Sequence, residues 1–111
     1  MNYTTTRDWK VLCWNVHGLN STARHSTVRE KIKDSQCAVI CLQETKCETI
    51  DHNFIRSFCP RHFDQFAVVP SRGASGGILT IWNSAIFEGM LVDTQGFGLV
   101  IQFTSTHNAE S

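Results

Sequence analysis

Two stretches of the chain decide its fold: KVLCWNVHGLN at residues 10–20 and CAVICLQETK at residues 37–46. Each is an apolar run followed at once by polar residues. Apolar runs of about five or six residues that are bounded by polar residues are typical of buried strands. The first run leads to the carboxamide of Asn15 and the second to the carboxylate of Glu44. The sequence therefore predicts two oxygen-bearing side chains at the exits of two buried strands.

Oxygen ligands at converging strand ends suit Mg²⁺, which prefers carboxylate and carbonyl oxygens. Asn15 is followed by Gly18, which permits the tight turn that such a strand exit requires. At this position an Asn can ligate a metal ion or orient water or a phosphate. It can equally hydrogen-bond its own turn, and both interpretations of Asn15 remain open.

Glu44 follows the apolar residues 40–42, with only Gln43 between them. A carboxylate so close to apolar surroundings needs a cation or hydrogen-bond donors. The cation could be a bound metal ion, or it could be supplied by Lys46 or Arg72 in a structural ion pair. Position alone does not choose between these two interpretations.

The rest of the pattern predicts a layered α/β or α+β domain with a mixed sheet. With one long helix and one short helix, the predicted elements cannot cover both faces of a six-stranded sheet, so we expect one face to stay uncovered. The predicted strands are 9–15, 37–43, 64–69, 78–82, 87–93 and 98–104, with helices at 21–34 and 49–58 and a hairpin turn at 94–97. In the first helix the apolar residues Val28 and Ile32 are four apart, so we expect its buried stripe to be thin.

At 111 residues the chain has room for one domain at most. We assign residues 9–104 to that domain, residues 1–8 to a polar lead-in and residues 105–111 to a loose tail. A hydrophobic content of 41% and a charged fraction of 18% exclude a disordered chain. The net charge of zero gives no support to a non-specific nucleic-acid binder, which would be basic.

Neither a membrane span nor a secretory signal is predicted. No apolar stretch approaches the roughly 18 residues that a membrane helix needs, and the first eight residues have no apolar signal core. We therefore expect an intracellular protein, nuclear or cytoplasmic and not secreted. The five cysteines are an odd number, and three of them lie inside apolar runs; we expect all five to be reduced.

Two further features carry weaker signals. The loop at residues 73–77 is rich in glycine but opens a strand and lacks the Lys-Ser/Thr of a nucleotide-binding loop. We expect its glycines either to let the backbone pass close to something or to make a hairpin turn. His17 could reach a phosphate, but the sequence shows no carboxylate that would orient it as a general base.

Taken in order, WNVHGLN at residues 14–20, LQETK at residues 42–46 and SGGI at residues 75–78 resemble the endonuclease/exonuclease/phosphatase superfamily. That superfamily includes pancreatic deoxyribonuclease, apurinic endonucleases and inositol polyphosphate phosphatases. The residues of these motifs are most similar to those in the endonuclease domain of LINE-type (non-LTR) retrotransposons. The resemblance covers roughly residues 9–104.

The resemblance implies a four-layer α/β sandwich that hydrolyses phosphodiester bonds in DNA with Mg²⁺, or with Mn²⁺ as an alternative ion. Carried over by position, Glu44 would bind the metal and Asn15 would position the metal and the scissile phosphate. Lys46, Arg72 and His17 would lie near the substrate.

The departures from the family pattern also carry information. The second half of the family domain supplies an Asp-x-Asn pair and a late Ser-Asp-His motif, and neither follows the SGGI motif here. We therefore interpret the chain as the N-terminal half of the sandwich, inactive by itself. The alternatives are a non-catalytic half-domain that docks a partner through its open sheet, whether a complementary half or a second copy, and a transposon remnant with no selected function.

Overall fold

The structure is a computed structural model that describes residues 9–93 and 98–106. The predicted lead-in at 1–8, the predicted hairpin turn at 94–97 and residues 107–111 of the predicted tail lie outside the described residues. The elements follow in the order β1 (Val11–Asn15), α1 (Thr22–Ser35), β2 (Val39–Gln43), α2 (His52–Arg56), β3 (Gln65–Val69), β4 (Ile78–Trp82), β5 (Phe87–Asp93) and β6 (Val100–Ser105).

Four strands form a mixed sheet in the order β1-β2-β4-β3. Strand β1 runs parallel to β2, whereas β4 is antiparallel to both β2 and β3. The predicted α/β class with a mixed sheet is therefore confirmed. The four-layer sandwich itself stays a prediction.

The prediction of a single six-stranded sheet is wrong, because β5 and β6 pair with each other in a separate two-stranded sheet. The turn after β4 accounts for the separation. The carbonyl oxygen of Asn83 accepts hydrogen bonds from the backbone N–H groups of Ile86 and Phe87, both at 3.0 Å. Its side-chain Oδ1 accepts a third, from Ala85 N at 2.9 Å. This turn redirects the chain, so β5 does not continue along the edge of the four-stranded sheet.

Both helices pack on one face of the four-stranded sheet. Helix α1 begins after Ser21, whose side chain accepts a hydrogen bond from Arg24 N at 3.1 Å, as expected of an N-cap. Its buried residues are Val28 and Ile32, the thin stripe that the sequence predicts. They join a core in which the alternate residues of the central strands point toward the helices, namely Ile40, Leu42, Leu79 and Ile81.

The opposite face of the sheet is covered only at one end. There Trp82 and Val39 pack with Phe87 and Phe103 from the base of the β5–β6 hairpin. Toward the other edge, Val11, Cys13 and Asn15 of β1 are exposed. Within residues 9–93 and 98–106, the predicted uncovered face is therefore confirmed along β1. None of the described helices is long and apolar enough to cross a membrane.

Candidate active site at the strand ends

The ends of β1 and β2 lie side by side at one edge of the sheet. The two strands are parallel and in register, with Asn15 opposite Gln43. Their pairing continues past the strand ends, where Gly18 N donates to the carbonyl oxygen of Glu44 at 2.8 Å and Leu19 N donates to that of Thr45 at 2.9 Å. The two sequence motifs therefore form one hydrogen-bonded unit.

The glycine-rich loop holds this unit from its other side. Thr45 N donates to the carbonyl oxygen of Gly77 at 3.2 Å, and Lys46 N donates to that of Gly76 at 2.8 Å. Gly77 has a φ of +99°, and a Cβ there would lie far inside van der Waals contact with Thr45 Oγ1. The expectation that the backbone passes close to something is thus confirmed at Gly77, and the neighbour is the buried side chain of Thr45.

Asn20, the last residue of the first motif, ties the two motifs together through its side chain. Its Nδ2 donates to the carbonyl oxygen of Lys46 at 3.2 Å, and its Oδ1 accepts from the Cys47 thiol at 3.3 Å. Burial raises the pKa of the Cys47 thiol, which keeps it in the protonated form that can donate. Asn20 is therefore a positioning residue for the loop that carries Glu44.

The backbone at the strand ends adopts sparsely populated conformations. His17, Glu44 and Lys46 have φ values of 51°, 55° and 58°, in the left-handed region that residues with a Cβ rarely adopt. Such residues persist only where the surroundings over-determine them, and they cluster at functional sites. Here the surroundings are the backbone hydrogen bonds that Gly18, Gly76 and Gly77 make with the Glu44 loop.

A cleft of about 550 Å³ opens at this edge of the sheet. It collects three of the predicted site residues, Asn15, Glu44 and Arg72. Asn15 and Arg72 are exposed and Glu44 is half-buried. The other lining residues come from the end of β2, from the end of β3 with the glycine-rich loop, and from the start of β4; they are Gln43, Val69, Pro70, Ser71, Ser75, Gly76, Gly77 and Ile78.

Lys46 and His17 do not line the cleft. Both are exposed on the loops beside it. The aliphatic stem of Lys46 passes over Gly18, where a Cβ would lie 3.7 Å from Lys46 Cδ. The structure thus brings Arg72, rather than Lys46 or His17, into the cleft that Asn15 and Glu44 share.

The turn-stabilising interpretation of Asn15 is observed, because its Oδ1 accepts a hydrogen bond from His17 N at 3.1 Å. A carbonyl oxygen has two lone pairs, so this bond leaves acceptor capacity on the same atom. It also fixes the orientation of the carboxamide. The two interpretations of Asn15 are therefore compatible.

The cleft offers hard oxygen donors, namely the carboxylate of Glu44, the amide oxygens of Asn15 and Gln43, and the hydroxyls of Ser71 and Ser75. No group of three or more His, Cys, Asp or Glu side chains with metal-site geometry occurs in the described part of the chain. Mg²⁺ keeps several waters and is commonly held by one or two carboxylates together with substrate phosphates. Such a set can hold a hard divalent cation that takes its further ligands from water and substrate.

Sequence reasoning missed the polar residues that complete the lining, Gln43, Ser71 and Ser75. Gln43 was detectable in principle, because parallel in-register pairing of the two motifs places it opposite Asn15. Sequence reasoning also passed over one Asp-x-Asn, at residues 51–53. There Asp51 is the N-cap of α2, and its Oδ1 accepts from Phe54 N at 2.8 Å. It serves the helix and lies outside the cleft.

Comparison with known proteins identifies the family. Residues 12–104 match the model of the Endonuclease/Exonuclease/phosphatase family. The chain belongs to this family. Its two strand-end motifs and the glycine-rich loop all fall within the matched residues, so the family assignment covers the whole candidate site. Family members are generally metal-dependent, which agrees with the hard donor set of the cleft.

Solved structures of AP endonucleases resemble this family member. The AP endonuclease LMAP from Leishmania major is 26% identical, with a TM-score of 0.51 over 69% of this chain and 24% of that one. The catalytic domain of Xenopus laevis APE2 is also 26% identical, with a TM-score of 0.49 over 68% of this chain and 24% of that one. The chain therefore spans about a quarter of the length of these relatives. A search of curated proteins finds no match.

Proposed function

We propose that residues 9–104 form the N-terminal half of a metal-dependent endonuclease domain that acts on phosphodiester bonds in DNA. The observation that carries this proposal is the cleft at the strand ends, where Glu44, Asn15 and Arg72 meet. A carboxylate, an oriented carboxamide and a guanidinium are the groups needed to hold a divalent cation against a phosphate.

Each of these residues has a separate role in the proposal. Glu44 holds Mg²⁺, with Mn²⁺ as an alternative ion, and Asn15 orients the scissile phosphate with the carboxamide that His17 N fixes. Arg72 contacts non-bridging phosphate oxygens, for which its planar donors are suited. Lys46 and His17 contact the nucleic acid outside the cleft. When bound, the cation stabilises the charge that develops on the phosphate and on the leaving oxygen.

Two lines of support favour an endonuclease over a phosphatase. The motifs WNVHGLN and LQETK resemble the corresponding motifs of LINE-type retrotransposon endonucleases. The structural relative from Leishmania major is an AP endonuclease, and it aligns with 69% of this chain. We therefore propose DNA as the substrate class and a retrotransposon-type endonuclease as the domain of origin.

The proposal also holds that this chain is inactive by itself. In the cleft, the described residues supply the single carboxylate of Glu44 and no histidine. A general base or acid typically contributes about 10²–10⁴-fold to the rate, and each oxyanion-stabilising group a comparable factor. A site that holds a cation but does not activate water should not cleave DNA at a measurable rate.

A second candidate function is a non-catalytic half-domain that docks a complementary half of the same fold. The observation that favours it is the set of exposed apolar residues on the β5–β6 hairpin, Met90, Leu91, Val92 and Val100, which are 52–63% exposed. A self-associating chain would use the same surface. No observation specifically favours a remnant without selected function.

Metal binding provides the direct test of the proposed site. Mn²⁺ added to isotope-labelled chain should broaden the amide NMR signals of Asn15, Glu44 and Gly76 selectively. The Glu44→Gln variant should lose this selective broadening and bind at least tenfold more weakly. Glu48→Gln removes an exposed carboxylate four residues further along and should change nothing. Equal effects of the two variants would contradict the proposal.

Plasmid nicking tests the proposed inactivity separately. Purified chain in Mg²⁺ should leave supercoiled plasmid intact at concentrations where NMR shows a folded protein. Nicking that disappears in Glu44→Ala would mean that a complete site forms, for example by self-association, and would overturn the half-site interpretation. Nicking that persists in Glu44→Ala would point to a contaminating nuclease. The protein would then be purified further and the assay repeated.

A further inference from the structure

Two cysteines face each other on the uncovered face of the sheet. Cys13 of β1 and Cys41 of β2 are in-register partners in the parallel pair. Cys13 is exposed and Cys41 is half-exposed. Their sequence neighbours Leu12, Ile40 and Leu42 pack toward the helices, so both thiols point to the opposite side.

The sheet brings the two thiols close enough to react with each other. Neighbouring strands lie about 4.7–4.9 Å apart, and disulfides span Cα–Cα distances of about 4.4–6.8 Å. Burial raises the pKa of the Cys41 thiol; Thr80, its register partner on β4, lowers that pKa, and the neighbouring Cys13 raises it further. The register thus imposes a separation near the short end of the disulfide range, which favours an exchangeable bond over a permanent one.

The remaining cysteines are poor candidates for this chemistry. Cys37, Cys47 and Cys59 are buried, with 4–9% of their surface exposed. Burial raises the pKa of the Cys59 thiol to about 12, and the Cys47 thiol is engaged with Asn20. Because thiolate character and access control exchange, only the pair on the open face combines a partner with exposure.

We propose that Cys13 and Cys41 are a redox-active dithiol that closes to a disulfide by exchange with a low-molecular-weight disulfide such as oxidised glutathione. The Cys13 thiolate, the more exposed of the two, attacks one sulfur of the reagent and releases one molecule of glutathione. Cys41 then loses its proton and attacks Cys13 Sγ in the mixed disulfide. This step releases a second glutathione and leaves the Cys13–Cys41 bond.

The pair lies next to the candidate active site without being part of it. Cys13 is two residues before Asn15 on the same face of β1, a separation of about 7 Å along the strand. A bond between Cys13 and Cys41 would cross-link β1 and β2 just below the cleft. The thiol chemistry does not require a bound metal ion, so its test is independent of the proposed function.

The test uses the whole chain. Reduced protein is incubated with oxidised glutathione under native conditions, blocked with N-ethylmaleimide, digested with trypsin and analysed by mass spectrometry. We expect peptide 11–24 linked to peptide 34–46, and a fall in free thiols of the denatured product from five to three. Fragmentation of the linked pair assigns the bond to Cys41 rather than to Cys37, which shares its peptide.

Single substitutions supply the controls. Cys41→Ser should accumulate a stable glutathione adduct on Cys13, because the resolving thiol is missing, whereas Cys13→Ser should form no intramolecular link. Cys37→Ser should behave as the unmodified chain does. Three results would overturn the proposal: no linked peptide from the unmodified chain, links to Cys37, Cys47 or Cys59 at equal yield, or disulfides only between separate chains on a non-reducing gel.

Discussion

At the scale of single residues, backbone strain is concentrated at the candidate site. His17, Glu44 and Lys46 are three of the four non-glycine residues with positive φ in the described chain, and the fourth, Gln36, is the C-cap of α1. A left-handed conformation costs a residue with a Cβ about 1–2 kcal/mol. The hydrogen bonds of the two glycines at 76 and 77 to the Glu44 loop offset that cost.

Lys46 allows this strain to be measured. We expect Lys46→Gly to be more stable than Lys46→Ala by about 1 kcal/mol, because only glycine adopts a φ of 58° without strain. At Lys33, inside α1, the order should reverse, with alanine favoured by about 1 kcal/mol. Urea unfolding of the four variants measures both differences. The same order at both positions would show that Lys46 is not strained.

Alanine substitutions at Gly76 and Gly77 distinguish the cost of backbone strain from the cost of a steric clash. Both have positive φ, but a Cβ meets nothing within 4 Å at Gly76, whereas at Gly77 it meets Thr45 Oγ1. We expect Gly76→Ala to lower the free energy of unfolding by about 1–2 kcal/mol. Gly77→Ala should cost a further 1–3 kcal/mol or so from overpacking. Equal losses for the two variants in thermal unfolding would contradict the proposed contact between Gly77 and Thr45.

At the scale of elements, hydrogen bonds from side chains fix the points where helices and strands begin. Ser21 and Asp51 cap the two helices. Asp64, just before β3, accepts from Ser84 N at 2.9 Å and from Ser84 Oγ at 2.7 Å. That carboxylate therefore joins the start of β3 to the turn that follows β4 and sends the chain into the hairpin.

The hydrogen bonds between Asp64 and Ser84 predict that the free energy of unfolding depends on pH. Partial desolvation raises the pKa of Asp64, but the Ser84 hydrogen bonds and the Arg56 charge outweigh it and hold that pKa below the ordinary value of 3.8. A carboxylate with a depressed folded-state pKa stabilises the fold above its unfolded pKa and loses this contribution as the pH falls through the folded value. Asp64→Asn should therefore reduce stability at pH 7, and the deficit should vanish at acid pH.

Chemical denaturation of Asp64→Asn between pH 7 and pH 2 measures this deficit. Asp34→Asn, which makes the same charge change at an exposed position on α1, serves as the control. We expect the Asp34→Asn difference from the unmodified chain to be small and nearly constant with pH. A constant deficit for Asp64→Asn would mean that its hydrogen bonds do not depend on the charge.

At the scale of the whole molecule, apolar surface remains exposed on the hairpin. The base of the hairpin packs on Trp82 through Phe103 and Phe87. Further out, Met90, Leu91, Val92 and Val100 are more than half exposed. Several exposed apolar side chains on one hairpin are a candidate for an interaction site or an aggregation-prone surface. The exposed hairpin residues and the open strand β1 are the surfaces available to a second layer.

Self-association through the hairpin is the corresponding prediction. In sedimentation experiments, the apparent mass of the chain should rise with concentration, and the double substitution Val92→Lys with Val100→Lys should suppress the rise. Gln102→Lys with Thr104→Lys adds the same charge at exposed polar positions of β6 and should suppress it much less. If both double variants suppress the rise in apparent mass equally, charge repulsion rather than the apolar surface controls association.

Local pattern was sufficient to predict most of the elements. The positions of β1 and β2, the strand Ile78–Trp82 and the α1 stripe of Val28 and Ile32 agree with the structure. The prediction that β1 is buried is wrong, because β1 is an edge strand whose Val11, Cys13 and Asn15 are exposed. Agreement is expected because burial sets the order of apolar residues along an element. One buried face gives a periodic pattern, and two buried faces give a continuous apolar run. The same pattern placed Asn15 and Glu44 at the strand exits, where the cleft now holds both.

Only the tertiary structure decided which strands pair and which side chains meet. The order β1-β2-β4-β3, the separate β5–β6 sheet and the entry of Arg72 into the cleft in place of Lys46 and His17 depend on contacts between residues far apart in sequence. No local period encodes such contacts. The register that sets Asn15 opposite Gln43, and Cys13 opposite Cys41, likewise exists only once two distant segments have paired.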